Sequence, residues 1–278
     1  MSTAARAPIW SASPARGGLA FTQLAENTPG LLRAALIPGK TKLVWIETPS
    51  NPLWTITNIA AFSEIAHRHG ALIVVDNTVA TPVLTRPIEH GADLVMHSAT
   101  KYLNGHGDLL MGALVTKEED AFWEHIRGIA HDGGALPGSF AAWLLLRGMR
   151  TLFLRMECIC ANAQRIAEFL DGHPNVARVH YPGLPGSEGY EVAKKQMQGG
   201  FGGMILIQVR GGFRAAVEAQ ARMEVFKRAT SLGTTESLVE HRASYEGPGS
   251  PVPDDLLQLS IGIESVEDLL RDLERALD

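Results

Sequence analysis

Leu43-Val44-Trp45-Ile46-Glu47-Thr48-Pro49-Ser50-Asn51-Pro52 joins an uninterrupted apolar run to an abrupt polar, proline-rich stretch. An apolar run of this length fits a strand covered on both faces, as in the parallel sheet of an α/β layer. The pattern recurs downstream in Ala71 to Val75, Leu94-Val95-Met96 and Ala113-Leu114-Val115. Between the first two runs, Ile59, Phe62, Ile65 and Ala66 fall on one helical face, with Asn58 positioned as N-cap and Gly70 beyond the end. This is a βαβ unit.

The texture changes after about residue 135. A long helical region is expected over residues 140–170, then strands over 175–182, 204–209 and 256–263. A closing helix begins at Ser265-Val266-Glu267-Asp268, close to a capping box, with Val266, Leu269, Leu270 and Leu273 on one face. The glycine-rich stretch 199–203 reads as a flexible strand entry. The expected division is an irregular segment over 1–30 with a strand near 19–24, a larger α/β domain over 31–140, and a smaller α+β domain over 141–278.

Composition narrows the function classes. The chain has 278 residues, 45% of them hydrophobic, enough for one large or two ordinary domains. Its net charge of -5 comes from 30 acidic and 25 basic residues without long like-charge runs, so neither nucleic acid nor a membrane surface is an expected partner. A small-molecule partner and a cytoplasmic setting are expected. Cys158 and Cys160 stand two apart on a helical pattern and point to different sides, so reduced, packed thiols are expected. No histidine spacing among His67, His69, His90, His106 and His125 suits a metal.

In an open parallel sheet, ligands bind beyond the carboxyl ends of the strands. Here those ends carry Asn51, then Asp76-Asn77-Thr78, then His97-Ser98-Ala99-Thr100-Lys101. An amide, a carboxylate, hydroxyls and an amine thus converge on one edge. Pyridoxal 5'-phosphate (PLP) chemistry requires this set. A lysine forms the Schiff base, a carboxylate keeps the pyridine nitrogen protonated, and hydroxyls hold the phosphate. Lys101 and Asp76 fit the first two roles, Ser98 and Thr100 the third, and Asn51 and Thr78 stand ready for the ring or its hydroxyl.

These segments resemble the PLP-dependent enzymes of cysteine and methionine metabolism: cystathionine gamma-synthase, gamma-lyase and beta-lyase with their sulfhydrylase and methionine-lyase relatives. The resemblance runs from about Leu31 to the C-terminus. It is carried by residues 41–52, Val74-Val75-Asp76-Asn77-Thr78, and His97-Ser98-Ala99-Thr100-Lys101-Tyr102-Leu103-Asn104-Gly105-His106. Ser231-Leu232-Gly233, Glu236-Ser237-Leu238 and Leu259-Ser260-Ile261-Gly262-Ile263-Glu264 add to it. It implies a type I aminotransferase-like fold, PLP on Lys101, Asp76 at the ring nitrogen, Ser98 and Thr100 on the phosphate, and Ser231 near a sulfur amino acid substrate. It also implies a homo-oligomer.

Two departures from the family stand out. Residues 1–30 offer no counterpart to the family's phosphate-binding glycine turn, its ring-stacking tyrosine, or the tyrosine and arginine given to a neighbouring subunit. Where the family has an arginine for the substrate carboxylate, this chain has Gln258, which cannot form a bidentate charged pair. Thr234, where relatives have glycine, is a milder change. Two readings follow: a transsulfuration enzyme acting at the beta or gamma carbon, or a truncated, non-catalytic remnant with weak PLP or partner binding.

Overall fold

The computed structural model describes residues 20–24, 26–246 and 252–278. Helix α1 (Pro29–Ala35) leads into β1 (Leu43–Glu47), α2 (Ile59–Arg68) and β2 (Leu72–Asp76). A short α3 (Thr81–Leu84) and a 3-10 turn (Pro87–His90) precede β3 (Leu94–Ser98) and β4 (Gly112–Thr116). Three helices follow, α4 (Ala121–Asp132), α5 (Ser139–Met149) and α6 (Leu152–Asp171). The remainder is β5 (Val176–His180), α7 (Tyr190–Gln196), β6 (Met204–Val209), α8 (Gly212–Arg222), β7 (Lys227–Arg228), β8 (Leu238–His241), α9 (Arg242–Glu246), β9 (Leu256–Ser260) and α10 (Val266–Leu277).

The strands form two sheets, ordered β1-β2-β3-β4 and β5-β6-β9-β8-β7. In the first, β1, β2 and β3 are parallel, and α2 makes the crossover. Asn58 caps α2 as its spacing predicts, its Oδ1 accepting from the Ala61 N–H at 3.0 Å. The predicted face, Ile59, Phe62, Ile65 and Ala66, is buried against Ile73 and Val75. Each large side chain so buried contributes roughly 1.5–3 kcal/mol.

Coverage on both faces holds for β2, but not for the outer strands. Leu43 and Trp45 of β1 are 46% and 54% exposed. β4 pairs antiparallel to β3, and its Leu114 and Val115 are exposed. The expected helix over 140–170 is two helices, broken at Arg150–Thr151. Of the strand expected near 19–24, Leu19 lies outside the described residues and 20–24 have no regular structure, although Leu24 packs on the first core. Ser265 does not close a capping box. Its hydroxyl turns to Glu267 Oε2 at 3.4 Å.

Nor is the glycine-rich stretch a loose entry. A Cβ on Gly203 would stand 2.3 Å from Ile159 and 3.0 Å from the Tyr102 hydroxyl. The glycine is there for close packing. On the far side of the second sheet, Ile205, Ile207, Leu257 and Leu259 pack with Ile166, Leu170, Leu269 and Leu273 in one core. In contrast, Phe140, Trp143 and Leu146 on α5, and Phe153 and Leu154 at the start of α6, form an exposed apolar stripe.

Candidate active site

Parallel pairing decides where the polar strand ends fall. The register sets Glu47 beside Asp76 and Asp76 beside Met96, so all three strands finish at one edge. Asp76 accepts from the Thr78 N–H at 2.9 Å. The Thr78 hydroxyl accepts from the Ser98 N–H at 2.7 Å, which binds the end of β3 to the segment after β2. Burial, and then the nearby Asp76 charge, push the Glu47 carboxyl up to about 7, against the pull of an Asn51 backbone N–H. His97 is buried, and its Nδ1 has no hydrogen-bond partner. Burial lowers its imidazole while Asp76 pulls the other way.

Lys101 sits on a tight turn after β3. Its N–H donates to the Ser98 carbonyl at 3.0 Å, Asn104 N–H to Ala99 at 3.1 Å, and Gly105 N–H to Lys101 at 2.7 Å. Ala99 and Tyr102 are fully buried and anchor the turn. The Tyr102 ring lies against Gly233, and its hydroxyl near Gly203; a Cβ on Gly233, whose φ is +76°, would come within 2.8 Å of the ring. Behind the turn, buried Arg155 donates to the carbonyls of Tyr102 at 2.8 Å, Leu103 at 3.4 Å and Gly148 at 3.0 Å, and to the Thr151 hydroxyl at 3.1 Å.

Held this way, Lys101 Nζ donates to Ser231 Oγ at 3.0 Å. Burial lowers the amine, and the negative charge of Glu240 partly restores it. The predicted residues Asp76, Thr78, Ser98, Lys101 and Ser231 are therefore brought to one edge. Thr100 is there too, but its hydroxyl already accepts from Met111 N–H at 2.9 Å and faces the Met111 carbonyl at 3.4 Å. Asn51 lies exposed on the turn between the Thr48–Pro49 and Asn51–Pro52 cis bonds. Gln258 is 3% exposed, opposite Glu240 in the β8–β9 pair.

Glu240, Arg242 and Arg155 carry charge at this site and were not anticipated. Glu240 and Arg242 are buried and paired at 3.3 Å. The strand of Glu240 has no apolar run to announce it, though Leu238-Val239 ahead of it is a partial signal, and Arg242 opens the helix that follows. Arg155 interrupts the stripe Leu152, Met156, Ile159, Ala163, and a charge on a buried helical face is a readable sign. Among the described residues no acidic, histidine or cysteine cluster suits a metal, and Cys158 and Cys160 are free thiols.

The donor set fits PLP: a partly buried amine within reach of a hydroxyl, a carboxylate at the end of β2, and Ser98 at the end of neighbouring β3. A sequence profile described as Cys/Met metabolism PLP-dependent enzyme matches residues 10–278. The chain belongs to that family. The match begins upstream of Leu31 and so includes part of the irregular segment 1–30. Within this PLP-dependent family, the chain is 49% identical over 249 residues to a cystathionine gamma-synthase of Mycobacterium tuberculosis, covering 88% of this chain and 63% of that protein. It therefore spans less than two thirds of that relative's length. It is 44% identical to an L-methionine gamma-lyase of Porphyromonas gingivalis over 95% of this chain and 68% of the relative. The crystal structure of metB from Corynebacterium glutamicum matches with a TM-score of 0.89 at 43% identity, over 94% of this chain and 68% of that one. The α/β fold is thus the type I aminotransferase-like fold of these PLP enzymes.

Proposed function

We propose that the protein is a PLP-dependent enzyme of sulfur amino acid metabolism that eliminates or replaces a group at the beta or gamma carbon of cystathionine or a related substrate. The observation that carries this reading is the 3.0 Å bond from Lys101 to Ser231 on the edge where Asp76 ends β2. PLP, when bound, supplies an electron sink for the substrate's alpha carbon. Lys101 attaches the cofactor, and its amine, made less basic by burial, takes and returns protons at the alpha and beta positions. Ser231 orients that amine. Asp76 holds a proton at the ring nitrogen, because a carboxylate beside a cationic ring favours the charged form of each.

Ser98 donates to the phosphate, joined by Thr100 once its hydroxyl turns from the Met111 carbonyl, and Asn51 and Thr78 border the ring. In this reading residues 31–140 carry the cofactor, and residues 141–278 bring Ser231 and Gln258 to the substrate. The apolar stripe Phe140, Trp143, Leu146, Phe153 and Leu154 supports a homo-oligomer, since exposed patches of this kind mark association surfaces. The free thiols of Cys158 and Cys160 support a cytoplasmic setting. Among the described residues no helix is long and apolar enough to cross a membrane.

Gln258 favours a second reading, a remnant that binds PLP without turnover, because it offers no charge to a substrate carboxylate. Borohydride treatment of the PLP-loaded protein followed by peptide mapping tests the first requirement, and a pyridoxyl label on another lysine sinks it. Ketoacid release from cystathionine, homocysteine and cysteine separates the readings. Turnover on the order of 1 per second or faster excludes the remnant.

A further inference from the structure

Val179 of β5 enters the core of the second sheet, and strand alternation turns its neighbours Arg178 and His180 the other way. Arg178 is exposed and His180 half-buried. Tyr181 and Leu184 then return to the core. Two successive turns carry the chain on to Glu188, with Leu184 N–H donating to the Tyr181 carbonyl at 3.2 Å and Ser187 N–H to the Leu184 carbonyl at 3.1 Å.

The polar stretch after β1 meets this loop. It is held by Ser50 N–H, which donates to the Thr55 carbonyl at 3.0 Å, and by Thr57 N–H, which donates to the Thr48 hydroxyl at 3.0 Å. Gly189, at φ +80°, packs on it so closely that a Cβ would stand 2.7 Å from the Ile56 side chain. Between the two loops is a cleft of about 350 Å³, a size that suits a small molecule. Trp54 in its wall belongs to the core that includes Tyr102 of the lysine turn, and Leu184 belongs to the core of the second sheet, so the cleft lies on the seam between them. None of Asp76, Ser98, Lys101 and Ser231 lines it.

The cleft carries both signs of charge. Arg178, Asp171 and Glu188 all line it, and among the described residues none of the three has an ion-pair partner. Arg178 and Glu188 stand close enough to one point that both act on His180: burial, then Arg178, lowers its imidazole, and Glu188 raises it. Trp54 is 3% exposed, and its indole N–H has no acceptor. A simple anion would meet the two carboxylates, and a simple cation would meet the guanidinium. A ligand bearing a carboxylate for Arg178 and an ammonium for Glu188 satisfies both and is neutral overall. An apolar group on the same ligand covers Leu53, Trp54 and Leu184. We propose that this cleft binds a free alpha-amino acid with an apolar side chain, at a site apart from the cofactor lysine. Such binding requires neither Lys101 nor the transsulfuration reading.

The test is calorimetric titration with L-methionine of PLP-loaded protein that borohydride has reduced, so that imine exchange contributes no heat. One methionine should bind per chain with a Kd below about 1 mM. N-acetyl-L-methionine lacks the ammonium and L-methioninamide lacks the carboxylate, and each should bind about tenfold or more weakly. Arg178→Gln should weaken methionine about tenfold and leave the amide unchanged. Glu188→Gln should weaken methionine and spare the N-acetyl compound. Both side chains are exposed, so circular dichroism should not move. No saturable binding, derivatives that bind as well as methionine, or an unaltered methionine affinity in either variant overturns the proposal.

Discussion

Lys101 Nζ and Ser231 Oγ meet at 3.0 Å although 130 positions separate them in the chain. The bond links the turn after β3 in the first sheet to the loop before β8 in the second. Ser231→Ala should leave the cofactor attached to Lys101 but cost about 1.5–3 kcal/mol of orientation, the worth of a hydrogen bond to a charged group. Turnover should fall roughly tenfold or more. Steady-state kinetics with the visible absorbance of the bound cofactor as a second readout checks this, and unchanged turnover removes Ser231 from the machinery.

Asp76→Asn keeps the shape of the side chain and its capacity to accept from Thr78 N–H. It removes the charge that would hold a proton on the ring. The variant should retain cofactor absorbance and lose elimination almost completely. Wild-type turnover in this variant would falsify the role.

Glu47 gives a pH signature. Its folded carboxyl titrates at about 7 against an ordinary 4.5, so between these values the folded state binds more protons than the unfolded one. Stability should therefore decline as pH rises from about 4.5 to about 7, by on the order of 1–3 kcal/mol. Glu47→Gln should flatten that slope and raise the melting temperature at pH 8. Denaturation curves at pH 5 and pH 8 measure both, and an unchanged slope in the variant refutes the assignment.

Arg155 supplies donors to three buried carbonyls around the lysine turn. Arg155→Met removes the donor from the Tyr102 and Leu103 carbonyls, at about 1–3 kcal/mol for each that stays dry, whereas the Gly148 carbonyl keeps the Thr151 N–H and hydroxyl. A fall of several degrees in melting temperature is expected, together with weaker retention of PLP in dialysis. Arg155→Lys should recover part of both. A variant that melts like the wild type would show that water fills the gap.

The βαβ unit could be read from residue patterns because its information is local: the apolar run, the Asn58 cap and the face of Ile59, Phe62, Ile65 and Ala66 all lie within a few turns of one another. The direction of β4 could not, since an apolar run carries no sign of whether its neighbour is parallel. Lys101 and Asp76 were legible as residues at strand ends. Glu240 was not, because its place beside the site comes from pairing across β8 and β9, which sets it opposite Gln258, and Arg242 matters only through the Glu240 it bonds. The break at Arg150–Thr151 was hidden for a different reason. Both flanking helices show apolar faces, and neither Gly nor Pro marks the joint itself.

Tyr102 is dovetailed between two glycines: a Cβ on Gly233 would press within 2.8 Å of its ring, and one on Gly203 would stand 3.0 Å from its hydroxyl and 2.3 Å from Ile159. This constrains mutational drift more than any one catalytic group does. A methyl group at position 233 would lever the ring outward and carry the neighbouring amine with it, and one at 203 would strike Ile159 as well as crowd the hydroxyl, so each single step is blocked. In a randomised library, survivors altered at any of the three positions should carry compensating changes at the others, and an aromatic lost at 102 should be what first opens the glycines to replacement.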